Sequence, residues 1–435
     1  MTRWNQLSAN EITLLDHVFW SGSISRDALA NGSSFSKTRA NATVAGLLEQ
    51  GVLAATGEQR STGGRRAATL RLSPGLGVLL AVALGATGLE VGVLGPDLEL
   101  LAHHSEPADV RHGPAVVLAR VRALMQQLLA LCGRRPRDVI GIGIGVPGPV
   151  DFAAAQLVNP PLMPEWDAYS IREDLRADFD APVFVDNDVN VMALGELWRM
   201  QRALQNFLVI KVGTGIGCGI VCHGMVYRGA NGSAGDVGHI CVDPQGPRCH
   251  CGNLGCVETM AAGPAIARAA TEAAQSGQSP LLAQMLAGNG VLKLQDVAKA
   301  SRAGDVAANA IVQRAGALIG QMLASVVNFH NPSHVFIGGS IQKIGPLFLA
   351  AVRQSVYHRS LALSTRHLEI QYTPLGERAG IIGAAVLAMQ ESLRMGPPGS
   401  PPVASRASEG LPAGRAADRQ RRIRATHLFA GEQES

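Results

Sequence analysis

The sequence predicts an α/β fold with a largely parallel sheet, preceded by a small module of helices and a hairpin. From Leu79 onward, short apolar strands that end in glycine turns alternate with amphipathic helices. This alternation is typical of a sheet whose strands are joined by helical connections. Residues 1–75 differ, because three helical segments are followed there by two short strands around a polar loop. We therefore expect a helical module joined to an α/β body.

Composition indicates an ordinary globular protein. The 435 residues are enough for two or three domains, and 47% of them are hydrophobic while 17% are charged. The first residues lack the apolar segment of a secretion signal, and no apolar run reaches the roughly 18 residues that span a membrane. We expect a cytoplasmic protein with reduced cysteines and no membrane partner.

The net charge of +4 is concentrated at the two ends of the chain. Residues 1–75 contain eight Lys or Arg against five Asp or Glu, and residues 396–435 contain six against four. A basic terminal module is consistent with nucleic acid binding, although an excess of three charges could also arise by chance.

The N-terminal module has the pattern of a winged helix-turn-helix domain. Two helices are expected within residues 11–31, and a third begins at Ser36. Residues 52–54 and 68–72 are predicted strands around a loop, residues 58–66, that is rich in glycine and arginine. In such a domain the third helix enters the major groove, and the wing reaches the backbone or minor groove. The alternative is a small helical domain that binds another protein.

Polar residues at the start of the third helix and arginines in the loop are the expected contacts with double-stranded operator DNA. The helix would contact bases and phosphates, whereas the loop would contact the backbone or minor groove. The helix contributes Ser36, Lys37, Thr38, Arg39 and Asn41, and the loop contributes Arg60, Arg65 and Arg66.

The body follows as a series of apolar strands and amphipathic helices. Its last residue before the composition changes is Met395, after which the chain is rich in Pro, Gly, Ser and Arg and is expected to be disordered. The predicted elements are a hairpin over 79–94, a helix over 115–131, strands over 139–146 and 183–185, a helix from about Val191, and strand-then-glycine segments at 207–219 and 335–340.

Three cysteines and one histidine within eighteen residues indicate a structural zinc site. His239, Cys249, Cys251 and Cys256 supply the Cys3His set of one tetrahedral Zn²⁺. Four protein ligands leave no position for an activated water, so the metal would support the fold rather than perform chemistry. Glycines at 252 and 255 allow the tight loop that this spacing requires.

Other interpretations of this motif remain open. His250 lies between two of the ligands and could replace His239. The thiols could also be unliganded or form a disulfide, although a Cys-x-Cys pair has poor disulfide geometry. The remaining cysteines have apolar neighbours and are expected to be core residues: Cys132, Cys218, Cys222 and Cys241.

Polar residues at strand ends indicate a site for a neutral polyol such as a sugar. Asn187 and Asp188 directly follow a buried strand, where an amide and a carboxylate can bind neighbouring hydroxyls and Asp188 could accept a hydroxyl proton. Asp236, His239 and Glu258 flank the zinc loop. No basic phosphate clamp accompanies these groups in the sequence. Alternatively, residues 186–188 only cap the following helix.

Two glycine-rich turns could bring backbone N–H groups close to a nucleotide. They are Lys211–Gly219 and Ile337–Ser340, and the second is preceded by Asn331-Pro332. Such turns also serve tight strand packing, so neither identifies a nucleotide site by itself.

Together these motifs resemble those of the ROK family (repressors, open reading frames and kinases) over roughly residues 10–392. The cysteine loop is the most specific of them, and its combination with a winged helix that ends in Gly-Gly-Arg-Arg resembles the repressor branch. The motifs are Ile144–Pro149, Asn187–Asn190 with Gly195-Glu196, Gly213–Gly219, Gly238-His239, Cys249–Glu258 and Gly338–Ser340.

The resemblance implies an actin-like, two-lobed sugar kinase fold with the sugar in the cleft between the lobes. It divides the chain into a winged helix-turn-helix domain (1–75), a first lobe (76–190), a second lobe with the zinc loop (191–392) and a tail (393–435). It implies sugar contacts by Gly148, Asn187, Asp188, Asp236, His239 and Glu258. In kinase members the residue that matches Asp188 is the general base.

The chain departs from the family pattern at the first phosphate hairpin and at one sugar contact. Family kinases carry Asp-x-Gly-Gly-Thr where this chain has Ala83 in place of the Asp and Ala86 in place of a Gly. The carboxylate that helps to hold Mg²⁺ is therefore missing, which weakens the kinase interpretation. Asp236 stands where the family usually has Glu, so the family's glucose-type preference does not carry over.

These observations predict a sugar-responsive transcriptional regulator, and more specifically a repressor, rather than an enzyme. Its effector would be a sugar or sugar phosphate, and it would bind a pseudo-palindromic operator as a homodimer or homotetramer. The alternatives are a sugar kinase that also carries a DNA-binding domain, with Asp188 as general base, and a protein whose N-terminal module docks onto another protein.

Overall fold

The computed structural model describes residues 7–33, 35–56, 69–160 and 163–395. Its N-terminal part contains the three expected helices. Ser8 caps the first in a capping box with Glu11, and Ser25 and Ser36 cap the second and third. Three short antiparallel strands in the order β1-β3-β2 complete this module. The elements are α1 (Ala9–Ser21), β1 (Ile24–Ser25), α2 (Arg26–Gly32), α3 (Lys37–Glu49), β2 (Leu53–Thr56) and β3 (Thr69–Leu72).

A first five-stranded sheet follows, in the order β10-β7-β4-β5-β6. The predicted hairpin is confirmed, since β4 and β5 pair antiparallel across the turn at 85–87. The elements are β4 (Val78–Leu84), β5 (Gly88–Leu94), β6 (Leu100–Pro107), α4 (Pro114–Leu131), β7 (Val139–Val146), β8 (Val150–Asp151), β9 (Gln156–Leu157), α5 (Ile171–Arg176) and β10 (Val183–Asn187).

A second five-stranded sheet has the order β13-β12-β11-β14-β15. Helices precede it, cover it and end the described chain. The elements are α6 (Asp188–Arg199), β11 (Phe207–Val212), β12 (Ile216–Cys222), β13 (Met225–Tyr227), α7 (Val257–Ala261), α8 (Gly263–Gln275), α9 (Pro280–Asn289), α10 (Leu294–Arg302), α11 (Val306–His330), β14 (His334–Gly338), α12 (Pro346–Arg359), α13 (Ala362–Thr365), β15 (Glu369–Tyr372) and α14 (Ala379–Met395).

The prediction of a largely parallel sheet was wrong. In each sheet two strand pairs are parallel and two are antiparallel. The reason is that short turns join β4 to β5 and β11 to β12 directly, and a short turn can join only antiparallel strands. Residues 213–215 therefore form a hairpin turn, in which the N–H of Gly213 donates to the carbonyl of Gly215.

The helix expected from about Val191 begins three residues earlier, at Asp188. Asn187 is its N-cap, because the Asn187 side-chain oxygen accepts from the N–H of Val189 at 3.0 Å. Asp188 lies in the first turn, where a negative charge interacts favourably with the helix dipole. The strand β10 and the helix α6 consequently meet without a loop.

Three hydrophobic cores divide the molecule into layers. One lies between the first sheet and helices α4 and α5. Another lies between the second sheet and helices such as α8, α11 and α12. The third contains α6 and α14 between the two sheets, and it continues into α1, α3 and the small N-terminal sheet.

Glycines allow the central helices to approach their neighbours closely. Alternate residues of β7 differ: Ile142 and Ile144 point into the core beneath α4, whereas a Cβ on Gly143 would overlap the backbone of Ala384 in α14. A Cβ on Gly383 would likewise overlap the carbonyl oxygen of Val191 in α6. The helices α6 and α14 are thus in backbone contact with each other and with β7.

Two helices, α4 and α11, are long and apolar enough by length and composition to cross a membrane. Both contribute side chains to hydrophobic cores, and buried helices of globular domains have the same length and composition. Their hydropathy is therefore weak support for a membrane span.

We predict that Gly383→Ala destabilises the protein by about 1–3 kcal/mol, because the new methyl group must separate α14 from α6. Thermal unfolding measures the effect. Gly288→Ala is the matched control, since Gly288 also lies in a helix but has no atom within 4 Å of its added Cβ. The control should stabilise by up to about 1 kcal/mol. Equal effects of the two substitutions would contradict close helix packing.

Candidate functional site

The cysteine loop is shaped by backbone hydrogen bonds and two glycines. The N–H of Cys249 donates to the carbonyl of Asn253 at 2.7 Å, and the N–H of Gly252 donates to the carbonyl of Cys249 at 2.9 Å. Gly252 and Gly255 have φ values of 94° and 64°, which side chains rarely adopt. A Cβ on Gly255 would also overlap the backbone of Asp243. The loop can therefore turn Cys256 back towards the other thiols only with glycine at these positions.

The sulfur and nitrogen atoms of this loop have the spacing of a tetrahedral metal site. The Sγ atoms of Cys251 and Cys256 are 3.7 Å apart, and Sγ of Cys249 is 3.5 Å from Nδ1 of His239. Tetrahedral zinc with bonds of about 2.3 Å to sulfur and 2.0 Å to nitrogen separates such ligand pairs by about 3.8 and 3.5 Å. The four atoms lie within 4.8 Å of one another. The residues present thus fit Zn²⁺.

His250 belongs to a second, overlapping group with His239, Cys249 and Glu258. Its Nδ1 is 3.8 Å from Sγ of Cys249, and its Nε2 is 3.6 Å from Oε1 of Glu258. The group with three thiolates matches structural zinc better, because such sites are built from Cys and His. His250 then lies between the metal ligands and Glu258.

Glu258 is held against the start of β12. Its Oε2 accepts from the N–H of Ile216 at 2.8 Å. Gly215 and Gly238 make room for this carboxylate, since added Cβ atoms would lie 2.7 and 3.1 Å from Oε2. Oε1 is left to bind a ligand or His250. Glu258 stands in the first turn of α7, two residues after Cys256, so the cysteine loop determines where it lies.

Asp236 and His239 lie on the other side of the same loop. Nε2 of His239 is 3.8 Å from Oδ1 of Asp236, whose side chain is 57% exposed. Nδ1 of His239 faces Cys249 and Nε2 faces Asp236, so His239 can bind a metal through Nδ1 while Nε2 stays on the side of the aspartate. The aspartate is the most accessible group of this cluster and can move to meet a ligand.

Asn187 connects β10 to the turn after β7. Its Nδ2 donates to the carbonyl of Gly148 at 2.9 Å, while its Oδ1 caps α6. Helix capping, the alternative to ligand binding, therefore occurs. One N–H and one lone pair of the amide remain for a sugar hydroxyl. Gly148 has φ 108°, and its backbone lies at the site through this hydrogen bond.

Two basic residues that the sequence did not single out pair with the aspartates of this region. Lys211 of β11 forms an ion pair with Oδ2 of Asp188. Arg228 donates from Nε and a terminal nitrogen to Oδ2 of the buried Asp186, at 2.9 and 2.7 Å. The Arg228 guanidinium also lies 4.0 Å from the ring centre of Phe152. Both pairs join the first sheet or α6 to the second sheet.

The predicted sugar residues form two groups that flank β12. Gly148, Asn187 and Asp188 form one, and its helix lies against the strand because a Cβ on Gly219 would be 2.6 Å from the carbonyl oxygen of Val189. Asp236, His239 and Glu258 form the other, adjacent to the strand's first residue. A ligand that contacts both groups would lie over the start of β12.

The first hairpin contains alanine where a phosphate-binding carboxylate is expected. Ala83 lies at the end of β4, and an added Cβ on Gly380 of α14 would be 2.9 Å from the Ala83 methyl. Glu90 pairs with Ala83 across the hairpin, and its Oε2 is 3.4 Å from Nε2 of His103. Burial raises the pKa of Glu90 above its usual range, against the opposing effect of His103. The hairpin thus retains one carboxylate on its second strand.

The described residues of the predicted DNA-binding set lie together at the start of α3. Lys37, Thr38, Arg39 and Asn41 are exposed, and Oγ of Ser36 accepts from the N–H of Arg39. Ser36 therefore has a capping role. The loop residues of the set, Arg60, Arg65 and Arg66, lie outside the described part of the chain.

Cys218 shows the contrast between a core thiol and a ligand thiol. It is fully buried in β12, and burial raises its pKa to about 12, so it stays protonated at neutral pH. The expectation of a core position holds for it. It does not hold for Cys241, which is exposed next to the zinc loop and lies outside the metal-binding groups of the described residues.

Comparison with known proteins identifies relatives of two kinds. The model of the ROK family matches residues 79–391. A glucokinase from Halalkalibacterium halodurans is 32% identical over 318 residues, which cover 73% of this chain and 96% of that protein. A putative xylose repressor from Caldicellulosiruptor sp. is 29% identical over 388 residues, which cover 88% of this chain and 94% of the repressor.

A solved structure of a ROK family transcriptional regulator, a homologue of the E. coli Mlc protein, is also similar. Its TM-score is 0.70 at 26% identity, over 88% of this chain and 97% of the other. The expected actin-like sugar kinase fold of the body is confirmed by these matches. The alignments with regulators are longer than the alignment with the glucokinase and leave little of the chain unmatched.

We predict that Cys251→Ser lowers zinc affinity by at least about tenfold, since one of four ligands is lost. The zinc content of purified protein, measured with a colorimetric chelator, tests this. Cys241→Ser is the matched control, because Cys241 is also exposed beside the loop. His239→Asn should release zinc and His250→Asn should not. The opposite result for the two histidines would assign the site to His250.

Proposed function

The chain belongs to the ROK family, and from this premise we propose that it is a sugar-responsive transcriptional regulator that represses genes of carbohydrate metabolism. The observation that carries the proposal is an N-terminal module with a capped, exposed third helix, joined to a body that keeps the sugar cluster. In the proposal residues 1–75 are a winged helix-turn-helix domain. Residues 76–190 and 191–392 are the two lobes, and a tail begins at residue 393, of which residues 396–435 lie outside the described part of the chain.

The sugar would be recognised by hydrogen bonds from both groups that flank β12. The first group offers Gly148, Asn187 and Asp188, and the second offers Asp236, His239 and Glu258. Carboxylates, an amide and an imidazole suit neighbouring hydroxyls. Zn²⁺, bound by His239, Cys249, Cys251 and Cys256, would support the second group structurally.

Operator binding would involve a symmetric homodimer or homotetramer in the cytoplasm, because one recognition helix contacts too few bases for adequate specificity. Ser36, Lys37, Thr38, Arg39 and Asn41 would face the bases and phosphates. Arg60, Arg65 and Arg66 would contact the backbone or minor groove. Binding of a sugar or sugar phosphate would change the separation of the two recognition helices.

A sugar kinase is the second candidate, and two observations favour it. The glucokinase relative aligns with 318 residues of this chain over 96% of its own length, and Glu90 supplies a carboxylate opposite Ala83. Asp188 would be the general base. Against this, Lys211 holds one oxygen of Asp188, and Ala83 and Ala86 remove groups on which phosphoryl transfer depends. We therefore place the regulator first.

We predict that a monosaccharide or its 6-phosphate raises the melting temperature of the zinc-loaded protein, whereas ATP-Mg²⁺ does not. A ligand at a hundredfold excess over its Kd stabilises the native state by about 2.7 kcal/mol. A panel of hexoses and pentoses, which includes D-glucose and D-xylose, is measured by thermal shift. Asp188→Asn should remove the response to sugar. A shift with ATP-Mg²⁺ would favour the kinase.

We predict that Arg65→Ala weakens binding to every DNA duplex and lowers the slope of log affinity against log salt by about one. The arginine would contact phosphate, which every sequence offers. Fluorescence anisotropy over a range of salt concentrations gives the slope. Arg111→Ala is the control, because Arg111 is 72% exposed on the body and pairs only with Asp109 among the described residues. An unchanged slope for Arg65→Ala would remove the wing from the interface.

A further inference from the structure

The helix α6 extends from the proposed sugar site to the N-terminal module. Its first residue is Asp188, and Trp198 stands in its last turn. Twelve residues of helix span about 18 Å. One straight element therefore has a proposed effector contact at its beginning and the proposed DNA-binding module at its end.

Trp198 of α6 and two residues just after the helix make specific polar contacts with α1. Nε1 of Trp198 donates to the carbonyl of Phe19 at 3.3 Å, and Nε2 of Gln201 donates to the carbonyl of Ser21 at 3.2 Å. Arg202 donates to Oδ2 of Asp16 at 3.3 Å. These bonds join residues about 180 positions apart in the chain, and they fix the last turn of α1 on the body.

Arg202 is the most constrained of these contacts. Its guanidinium lies 3.8 Å from the ring centre of Trp20, and burial lowers its pKa despite the pairing with Asp16. Gln201 and Arg202 have φ values of 49° and 56°, a region that residues other than glycine adopt rarely. The half-buried guanidinium therefore meets Trp20 and Asp16 together from a backbone conformation that is rarely adopted, which favours one docking position for α1.

The helix is also tightly packed along its length. Gly383 brings its backbone against α14, and Gly219 brings β12 against its first turn. The core that surrounds α6 continues without interruption into α1 and α3. A displacement at Asp188 therefore cannot be absorbed by loose packing along the helix.

We propose that α6 transmits sugar occupancy to the N-terminal module, and that Arg202 is the positioning residue that couples them. The proposal rests on the proposed function. Sugar binding at Asn187 and Asp188 competes with the Lys211 ion pair and shifts the start of the helix. The shift reaches α1 through Trp198 and Arg202. It thereby changes the free energy with which the N-terminal module docks on the body.

Hydrogen exchange of the full-length, zinc-loaded protein tests this coupling. In the wild type, D-glucose or D-xylose, whichever raises the melting temperature, should change the exchange rates of α1 amides by at least about fivefold, a typical size for allosteric coupling. In Arg202→Met the same sugar should still raise the melting temperature, but the α1 response should be lost. Methionine keeps the apolar stem and removes the charge.

Trp198→Phe is the second variant, since it removes the hydrogen bond to Phe19 while it keeps an aromatic ring, and it should reduce the α1 response. Arg353→Met is the control. Arg353 of α12 donates to the carbonyl of Ile370 in β15, and both residues are far from α1 in sequence. It should keep the full response. A full response of α1 in both Arg202→Met and Trp198→Phe would overturn the proposal.

Hydrogen exchange measured without sugar distinguishes a failure of this proposal from a failure of the proposed function. Asp188→Asn breaks the ion pair with Lys211 and should alter α1 exchange without any sugar. The double variant Asp188→Asn/Arg202→Met should match Arg202→Met alone. If neither sugar binds the wild type, the proposed sugar specificity is wrong. The measurement on Asp188→Asn without sugar still tests whether α6 is coupled to α1. Unchanged α1 exchange in Asp188→Asn would overturn the relay.

Discussion

The backbone contact between α6 and α14 is the constraint on which the rest of the structure depends. Gly383 removes the side chain that would separate the two helices, and Gly143 does the same between α14 and β7. Because the helices lie between the two sheets, their separation determines how the sheets face each other. It also determines where α6 begins, at the proposed sugar site, and where it ends, beneath α1. The cleft and the docking of the N-terminal module thus share one structural support.

The zinc loop extends this support to the second group of polar residues. Glu258 reaches the N–H of Ile216 only because Gly215 and Gly238 lack side chains, and its position along α7 follows from Cys256 two residues before. A loop with few apolar side chains cannot hold such geometry by burial alone, so four metal bonds are a suitable replacement. In the proposal His239 belongs to both the metal site and the sugar site, since one ring nitrogen faces the thiols while the other faces Asp236.

Much of the fold could be predicted from local patterns, because helix caps, glycine turns and apolar periodicity act over a few residues. The third helix begins directly after Ser36, next to its expected start, and the hairpin after Leu79 is present. The pairs Lys211–Asp188 and Arg228–Asp186 could not be predicted in this way, since they join residues 23 and 42 positions apart. A lysine within the apolar strand Phe207–Val212 was the one available signal. The helix start at Asp188 was missed because Asn187 serves as cap and as part of β10.

Sugar binding and phosphoryl transfer depend on different groups of residues. A protein that reports a sugar concentration must bind the sugar reversibly, and phosphorylation would consume the ligand and make the response depend on ATP. Phosphoryl transfer depends on positioning and on charge at the phosphates, so its loss requires changes only at the phosphate hairpin. In the proposal Ala83 and Ala86 are changes of this kind, and they lie on β4 and its turn, outside the set of proposed sugar contacts. In the proposal, a sugar kinase body therefore becomes a sensor through few substitutions, while the residues that bind the sugar are kept.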